Sequence, residues 1–164
     1  MIIYLKNKHT LKIDEFIFKC SVGKNGLSSK KKEGDKKTPK GLFSIGDLYY
    51  RADRVKIPYT KLTKKIIKKD MGWCDDINSP KFYNKPIKVN KKIKHEKLFR
   101  KDNKYDMMIL IKYNSIKPKV PNGSCIFLHL TNDLKATAGC IAIKKRDFLV
   151  LIKLINSKTK ILIN

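Results

Sequence analysis

The feature that most constrains the fold is a succession of short apolar segments in which apolar and polar residues alternate. In the first 22 residues the alternating apolar positions are Ile2, Tyr4, Leu11 and Ile13, and residues 16–18 continue the pattern. A period of two places alternate side chains on opposite faces of a β-strand. Residues 1–22 are therefore predicted to form two strands around a turn near residues 7–9.

The remaining apolar segments extend this pattern to the end of the chain. Strands are predicted at residues 42–45, 105–113, 124–130 and 160–163, with irregular lysine-rich chain over 56–104 and a turn over 118–123. One segment differs, because residues 146–156 place Phe148, Leu151, Ile152 and Ile155 on a single helical face. The sequence therefore predicts a mainly β fold with one helix near its end.

Residues 23–41 form a long stretch without an apolar pattern, and they are rich in Gly and Lys. Loops of this length in small domains are usually functional or mobile. We expect a surface loop that acts as a mobile flap beside the functional site, with a solvated insertion as the alternative.

Size and composition limit the class of protein. A chain of 164 residues is enough for one domain with its own core, so a single domain spanning 1–164 is expected. No apolar run approaches the ~20 residues of a membrane-spanning helix, so no integral membrane segment is expected. The first residues also lack the apolar core of a signal peptide.

The net charge of +25 favours anionic partners. Only four of the 39 basic residues are Arg, the side chain that nucleic-acid readers use most for base edges, so a nucleic-acid partner is not expected. Lys, Ile and Asn all have AT-rich codons, and the base composition of the genome is the simpler explanation of the lysine excess.

Four cysteines are the first candidates for chemistry, and none belongs to a Cys-x-x-Cys pair, so no metal site is expected. Cys20 and Cys125 lie in apolar segments typical of core residues. Cys74 precedes Asp75 and Asp76, whose charges would oppose formation of a thiolate.

Cys140 differs because it follows Gly139 at a turn that leads into an apolar strand. Such a position can be exposed and close to unpaired backbone N–H groups, which stabilise a thiolate or an oxyanion. His129 ends the preceding strand, and alternation places it on the face that carries Phe127. A hairpin-like connection of ten residues would bring His129 beside Cys140, as in an activated thiol nucleophile. The alternative for His129 is a core histidine bonded to a carbonyl group.

Several blocks of the sequence resemble those of the YkuD-type L,D-transpeptidase catalytic domain, and more closely its short stand-alone proteobacterial branch. The blocks are residues 32–35 (KEGD), 38–43 (TPKGLF), 50–54 (YRADR), 72–76 (GWCDD), 83–84 (YN), 95–96 (HE), 105–106 (YD), 126–129 (IFLH) and 139–142 (GCIA). They run nearly from end to end of the chain.

The resemblance implies a β-sandwich or barrel-like catalytic fold and acyl transfer on peptidoglycan stem peptides without a cofactor. It implies Cys140 as the nucleophile, His129 as its base and Gly139 as part of the oxyanion site. The family motif most often reads Ser-His-Gly-Cys, whereas Thr137 and Ala138 stand in the first two positions here.

The resemblance also implies a set of substrate-binding residues: Thr137, Ala138, His95, Arg51, Tyr50 and Trp73. Arg51 could clamp a carboxylate, and Tyr50 and Trp73 could line the groove. Packing is the alternative role for these three residues.

Two other functions remain open at this point. The same thioester could be hydrolysed, which would make the protein a peptidoglycan peptidase or amidase. A basic wall-binding or nucleic-acid-binding module without catalysis is the alternative of another class. The resemblance implies a location in the cell envelope or periplasm, although no signal peptide is visible and a cytoplasmic location stays open. The oligomeric state is not predicted.

Overall fold

The computed structural model describes residues 1–164, and strands dominate it. The elements are β1 (Ile2–Asn7), β2 (Thr10–Ile13), β3 (Phe16–Ser21), β4 (Leu27–Ser28), β5 (Thr38–Pro39), β6 (Gly41–Tyr50), β7 (Lys64–Ile66), β8 (Met71–Cys74), β9 (Pro86–Lys88), β10 (His95–Lys97), β11 (Met107–Ile111), β12 (Phe127–Thr131), β13 (Ile141–Lys144), α1 (Lys145–Leu154) and β14 (Lys160–Ile163). The mainly β fold with a C-terminal helix is confirmed.

Eight of the strands close into a barrel. Their order is β11-β12-β13-β3-β2-β1-β14-β6, and β6 pairs again with β11 to complete the ring. The first half of β6 pairs with β14, and residues 45–50 pair with β11. The short strand β7 is parallel to the end of β6 and lies outside the ring. The barrel-like fold that the resemblance implies is therefore present.

The interior of the barrel holds the main core, a cluster of 25 buried residues. Helix α1 packs against β12 and β13. It buries Phe148, Leu151 and Ile152, and Ile155 just beyond it is also buried, as the helical pattern predicts. No helix is long and apolar enough to span a membrane.

A second, smaller core lies on the outer face of β6, β11 and β12. It contains Tyr49, Met108 and Phe127 from these strands together with Trp73 and Leu98. The three-stranded sheet β10-β8-β9 carries Trp73 and covers this face. The alternation of β12 is confirmed, because Leu128 and Leu130 face the main core while Phe127 belongs to the outer one.

Several strand predictions are wrong in their limits. Residues 1–22 form three strands rather than two, and residues 56–104 contain four short strands rather than irregular chain alone. The strand predicted at 42–45 is part of the ten-residue β6. The strand predicted at 124–130 begins only at Phe127, because Cys125 has a φ angle of 54° that interrupts extended chain.

Candidate active site

Strands β12 and β13 bring the two predicted catalytic residues to one face of the barrel. The strands are parallel, and His129 is opposite Ala142 in their register. Cys140 precedes Ala142 by two residues, so alternation places it on the same face as His129. The predicted hairpin is therefore wrong: a loop carries the chain from the end of β12 back to the start of β13. Cys140 and His129 both line a cavity of about 370 Å³.

Cys140 lines this cavity but is buried, whereas the sequence led us to expect an exposed thiol. Only 7% of the residue is accessible to solvent. The thiol donates a hydrogen bond to the carbonyl of Cys125 at 3.1 Å and accepts one from the N–H of Phe127 at 3.4 Å. Burial raises the pKa of Cys140 to about 12, and the Phe127 N–H opposes the rise. The resting group is therefore a neutral thiol.

His129 is also buried and neutral. Its Nδ1 lies 2.8 Å from the carbonyl oxygen of Leu130. A carbonyl oxygen only accepts, so Nδ1 carries the hydrogen and Nε2 is left as the proton acceptor of the ring. Burial lowers the pKa of His129 to about 4, although the bond to Leu130 opposes the shift. The imidazole is therefore in its basic form at neutral pH.

Residues 137–139 form the turn that precedes the predicted nucleophile Cys140, here called the nucleophile turn, and hydrogen bonds fix its backbone. The Thr137 hydroxyl accepts a bond from the Gly139 N–H at 3.1 Å and donates one to the Cys140 carbonyl at 2.6 Å. The Gly139 N–H is thus occupied, whereas the Cys140 N–H has no hydrogen-bond partner. The sequence predicts Gly139 as part of the oxyanion site; in this turn the Gly139 N–H is bonded and the Cys140 N–H is the free donor. Ala138 lines the cavity beside this turn.

Gly139 has a φ angle of 143°, which L side chains rarely adopt, and a Cβ atom there would lie 2.9 Å from the carbonyl oxygen of Lys37. This position therefore requires glycine, because the neighbouring segment approaches its backbone too closely for a side chain.

That neighbouring segment is the stretch 23–41, and it is a packed wall of the cavity rather than a solvated loop. The Thr38 hydroxyl is fully buried, donates to the Gly139 carbonyl at 2.8 Å and accepts from the Gly23 N–H at 2.9 Å. The Glu33 carboxylate accepts bonds from the hydroxyls of Tyr83 and Ser124 at 2.5 and 2.7 Å. The segment is therefore not the mobile flap that we predicted. Thr38 joins it to the nucleophile turn, and Glu33 joins it to Tyr83 and Ser124.

Three of the predicted substrate-binding residues lie outside the cavity. Tyr50 belongs to the main core of the barrel. Trp73 donates to Asn84 at 2.9 Å and packs edge-on against Phe127. Arg51 binds both carboxylate oxygens of Asp53 at 2.7 and 2.6 Å. The structure does not bring these side chains to Cys140.

Arg51 and His95 instead support neighbours of the cavity. Arg51 donates to the Arg100 carbonyl at 2.7 Å, and Arg100 itself lines the cavity. His95 packs over Gly72, with Nδ1 2.7 Å from the Ile93 carbonyl, and it does not line the cavity. Of the six predicted contacts, the structure places only Thr137 and Ala138 on the cavity surface.

The structure adds residues to the site that sequence reasoning missed. The Tyr105 ring lies 5.3 Å from the His129 ring, and its hydroxyl donates to Glu96 at 3.1 Å. Glu96 is also paired with Arg100 at 3.1 Å. Tyr105 and Glu96 stand in blocks that match the family pattern, which is a signal that could have found them. Lys31, which also lines the cavity, lies in a run of lysines and carries no such signal.

The pKa values of the other three cysteines are raised as well, so pKa does not distinguish Cys140, which differs from them in sharing one face of the barrel with His129. Burial raises the pKa of Cys20 to about 12 and raises that of Cys125 well above its usual value. The pKa of Cys74 is raised first by burial and then by the charges of Asp76 and Asp75, the two carboxylates that the sequence had identified. No group of three or more His, Cys, Asp and Glu side chains is arranged to hold a metal ion.

Comparison with known proteins identifies the family of this chain. The pattern of the YkuD L,D-transpeptidase catalytic domain matches residues 1–163. The chain belongs to the YkuD family. No curated protein matches this YkuD chain.

A solved structure, that of the Bdellovibrio bacteriovorus protein Bd1075, is similar to this YkuD chain at 16% sequence identity with a TM-score of 0.48. The similarity covers 99% of this chain and 47% of Bd1075. The YkuD chain therefore spans about half the length of that protein.

Proposed function

We propose that this YkuD domain, residues 1–164, is a cysteine-dependent acyl transferase that acts on peptidoglycan stem peptides in the cell envelope. The observation that carries the proposal is the meeting of Cys140 and His129 in one cavity. Beside them, the Cys140 N–H is unpaired. A nucleophile, a base and an oxyanion donor are the parts that acyl transfer through a thiol needs.

The reaction starts from neutral partners. The Cys140 thiol gives its proton to Nε2 of His129 as the sulfur attacks the carbonyl carbon of the scissile amide. A C–S bond forms, and the carbonyl electron pair moves to the oxygen, where the Cys140 N–H receives the negative charge. The C–N bond then breaks, and the imidazolium gives its proton to the departing amine. A thioester remains on Cys140.

The second half-reaction reverses these roles. An acceptor amine gives a proton to Nε2 of His129 and attacks the thioester carbon; the C–N bond forms, the C–S bond breaks, and the imidazolium returns its proton to the sulfur of Cys140. This outcome is the L,D-transpeptidation that crosslinks stem peptides. Attack by water instead would release a carboxylic acid, which is the peptidase or amidase alternative.

Intact-mass analysis of the protein mixed with purified muropeptides tests the proposal. We expect a mass increase equal to the donor peptide minus its leaving amine, and its disappearance in Cys140→Ala. Cys20→Ala is the matched control, because it removes another buried thiol and should keep the adduct. An adduct on Cys20 or Cys74, or turnover that persists in Cys140→Ala, would contradict the assignment.

The fate of the adduct separates the two outcomes. Loss of the adduct only after addition of an acceptor peptide indicates transfer, whereas loss in buffer alone indicates hydrolysis.

A further inference from the structure

Lys31 is the one lysine of the cavity wall that is buried. Only 3% of its side chain is accessible to solvent, although the residue lines the same cavity as Cys140. Burying an ammonium group is costly unless it is paired, so a buried lysine in a cavity wall calls for an explanation. The steps of acyl transfer described above make no use of it.

The protein satisfies only part of the hydrogen-bonding capacity of this ammonium group. Nζ donates to Asp35 at 2.8 Å and to the carbonyl of Lys32 at 3.3 Å. An ammonium group has three donors, so one is left without a protein partner.

Asp35 is itself held in place. It accepts bonds from the N–H groups of Lys32 and Lys37 at 2.8 and 2.9 Å. The pair of Lys31 and Asp35 is therefore a fixed unit of the wall, which orients the ammonium group before any ligand arrives.

The ammonium group lies close to the nucleophile turn. A Cβ atom at Gly139 would lie 3.7 Å from Nζ of Lys31, and Gly139 directly precedes Cys140. The aliphatic part of Lys31 packs against Gly123, where a Cβ atom would come within 2.9 Å of it. A glycine on each side thus makes room for the side chain to reach the nucleophile.

We propose that Lys31 binds the free terminal carboxylate of the residue that is released from the acyl donor. This inference rests on the proposed acyl transfer. Standard bond lengths place the α-carboxylate of a terminal residue within ~4 Å of the carbonyl carbon to which that residue is joined. A cation one residue from the nucleophile is at the range needed to meet that carboxylate.

The consequence is selectivity for donors that end one residue after the scissile bond. A charge-assisted bond in a buried wall is stronger than a neutral one and little screened by salt. A donor whose chain continues past that residue presents an uncharged amide at the same place, and it loses this bond. Lys31 would therefore make the enzyme act at the end of a stem peptide and not inside it.

The first test uses the thiol alone and needs no turnover. Cys140 is alkylated with anionic iodoacetate and with neutral iodoacetamide, and the ratio of the two rates reports on positive charge near the sulfur. We expect Lys31→Met/Asp35→Asn, which removes both partners of the buried pair, to lower this ratio at least fivefold. Lys36→Met is the matched control, because Lys36 lines the same cavity but is exposed, and its effect should be less than twofold. An unchanged ratio in the double variant overturns the proposal.

The second test compares a stem-peptide donor that ends one residue after the scissile bond in a free carboxylate with the same peptide as its carboxamide. We expect wild-type kcat/KM to favour the acid at least tenfold, and the double variant to treat both within twofold. Lys31→Arg should keep part of the preference. Equal wild-type rates for the two peptides overturn the proposal, whatever the variants do.

The two tests separate this proposal from the proposed function. If the wild type turns over neither peptide, the acyl-transfer function fails, while the alkylation ratio still decides whether Lys31 provides an anion site beside Cys140. If both peptides react equally, the function stands and the role of Lys31 falls.

Discussion

Burial gives Cys140 and His129, the two groups proposed to react, their neutral resting forms. The pKa of Cys140 is raised to about 12 and that of His129 is lowered to about 4, so no thiolate–imidazolium pair forms at neutral pH. The base is ready to accept a proton, but the thiol releases one only during attack. Catalysis then depends on the distance between the groups in the substrate complex more than on the charge of the free enzyme.

The neutral state of His129 makes folding stability depend on pH. An unfolded histidine takes up a proton near pH 6.5, whereas folded His129 does so only near pH 4. Between these values the unfolded chain binds more protons, so the free energy of unfolding falls as pH falls. We expect His129 to account for a loss of about 3 kcal/mol across this window.

Urea unfolding at pH 7, 5.5 and 4.5 checks this expectation. His129→Gln should show a shallower decline than the wild type, because glutamine does not titrate and the remaining ionisable groups are shared. Equal slopes for the two proteins would mean that folded His129 is protonated near its usual pH.

Gly139 is the second residue whose substitution has a predictable cost. Gly139→Ala combines backbone strain at a φ angle of 143° with a clash against the Lys37 carbonyl. We expect a loss of about 2–3 kcal/mol in unfolding free energy and a strong loss of turnover, since the Cys140 N–H would move.

Gly34→Ala is the control for that measurement. Gly34 also has a positive φ angle, of 75°, but a Cβ atom there would meet nothing within 4 Å. Gly34→Ala therefore introduces backbone strain without a steric clash. Thermal unfolding of both variants gives the difference between their stabilities, which is the cost of the clash with Lys37. If Gly139→Ala is as stable as Gly34→Ala, the backbone at Lys37 can move enough to accommodate the added methyl group.

The sequence identifies some of these residues and not others for physical reasons. Cys140 and His129 stand out because few side chains can act as nucleophile or base, and alternation predicts their common face. Lys31 is one of many lysines, and only its burial distinguishes it. Tyr50 and Trp73 match the family blocks, but a matched block does not tell whether a side chain packs inside the protein or contacts a ligand.

Among the larger elements, segment 23–41 contributes to stability by holding the nucleophile turn through the hydroxyl of Thr38. Thr38→Val keeps the shape of the side chain and removes its hydroxyl. The buried Gly139 carbonyl and Gly23 N–H would each lose a partner. We expect a loss of about 2–4 kcal/mol, since each unsatisfied buried group costs ~1–3 kcal/mol.

Thermal and urea unfolding of Thr38→Val beside Thr63→Val check this expectation. Thr63 is exposed, and its hydroxyl makes no hydrogen bond, so its substitution should change stability little. Turnover should fall in Thr38→Val alone. If Thr38→Val is as stable as the control and fully active, the segment is a mobile flap after all.

The strand predictions succeed where burial imposes a pattern and fail where it does not. The predicted limits of β14 agree with the structure, because this strand lies between β1 and β6 with alternate side chains in the core. Of the strands missed within 56–104, β7 is exposed along its whole length and β9 is largely exposed, whereas β8 buries three consecutive residues; none of the three alternates between a buried and an exposed face over enough residues to be recognised. Alternation also predicts faces but not partners, which is why the parallel pairing of β12 and β13 was mistaken for a hairpin.

The net charge is a property of the whole molecule, and it affects binding to charged partners. Lysines are scattered along the chain, so the charge of +25 produces a diffuse field that favours anionic partners, and the proposed function supplies one in the sacculus. The range of such a field is ~8 Å at physiological salt and ~3 Å at 1 M salt. We expect added salt to weaken binding to intact sacculi severalfold.

Turnover of a short soluble muropeptide at saturating concentration should change much less, because the proposed reaction of Cys140 and His129 takes place inside the cavity and not on the charged surface. Cosedimentation with sacculi and turnover of the soluble donor, measured over the same salt series, compare the two. If salt reduces binding and turnover equally, the charge takes part in catalysis. If salt reduces neither, the lysine excess has no role in binding.

Closure of the barrel also determines where another chain could attach. A ring of paired strands offers no free backbone donors, so only the short strands outside it have an open edge. β7 contributes Lys64 and Lys65 to such an edge, and β9 contributes Pro86 and Lys88. Proline lacks the N–H that an added strand would need, and lysines repel a second copy of the same edge. The edges at β7 and β9 are thereby protected against edge-to-edge aggregation.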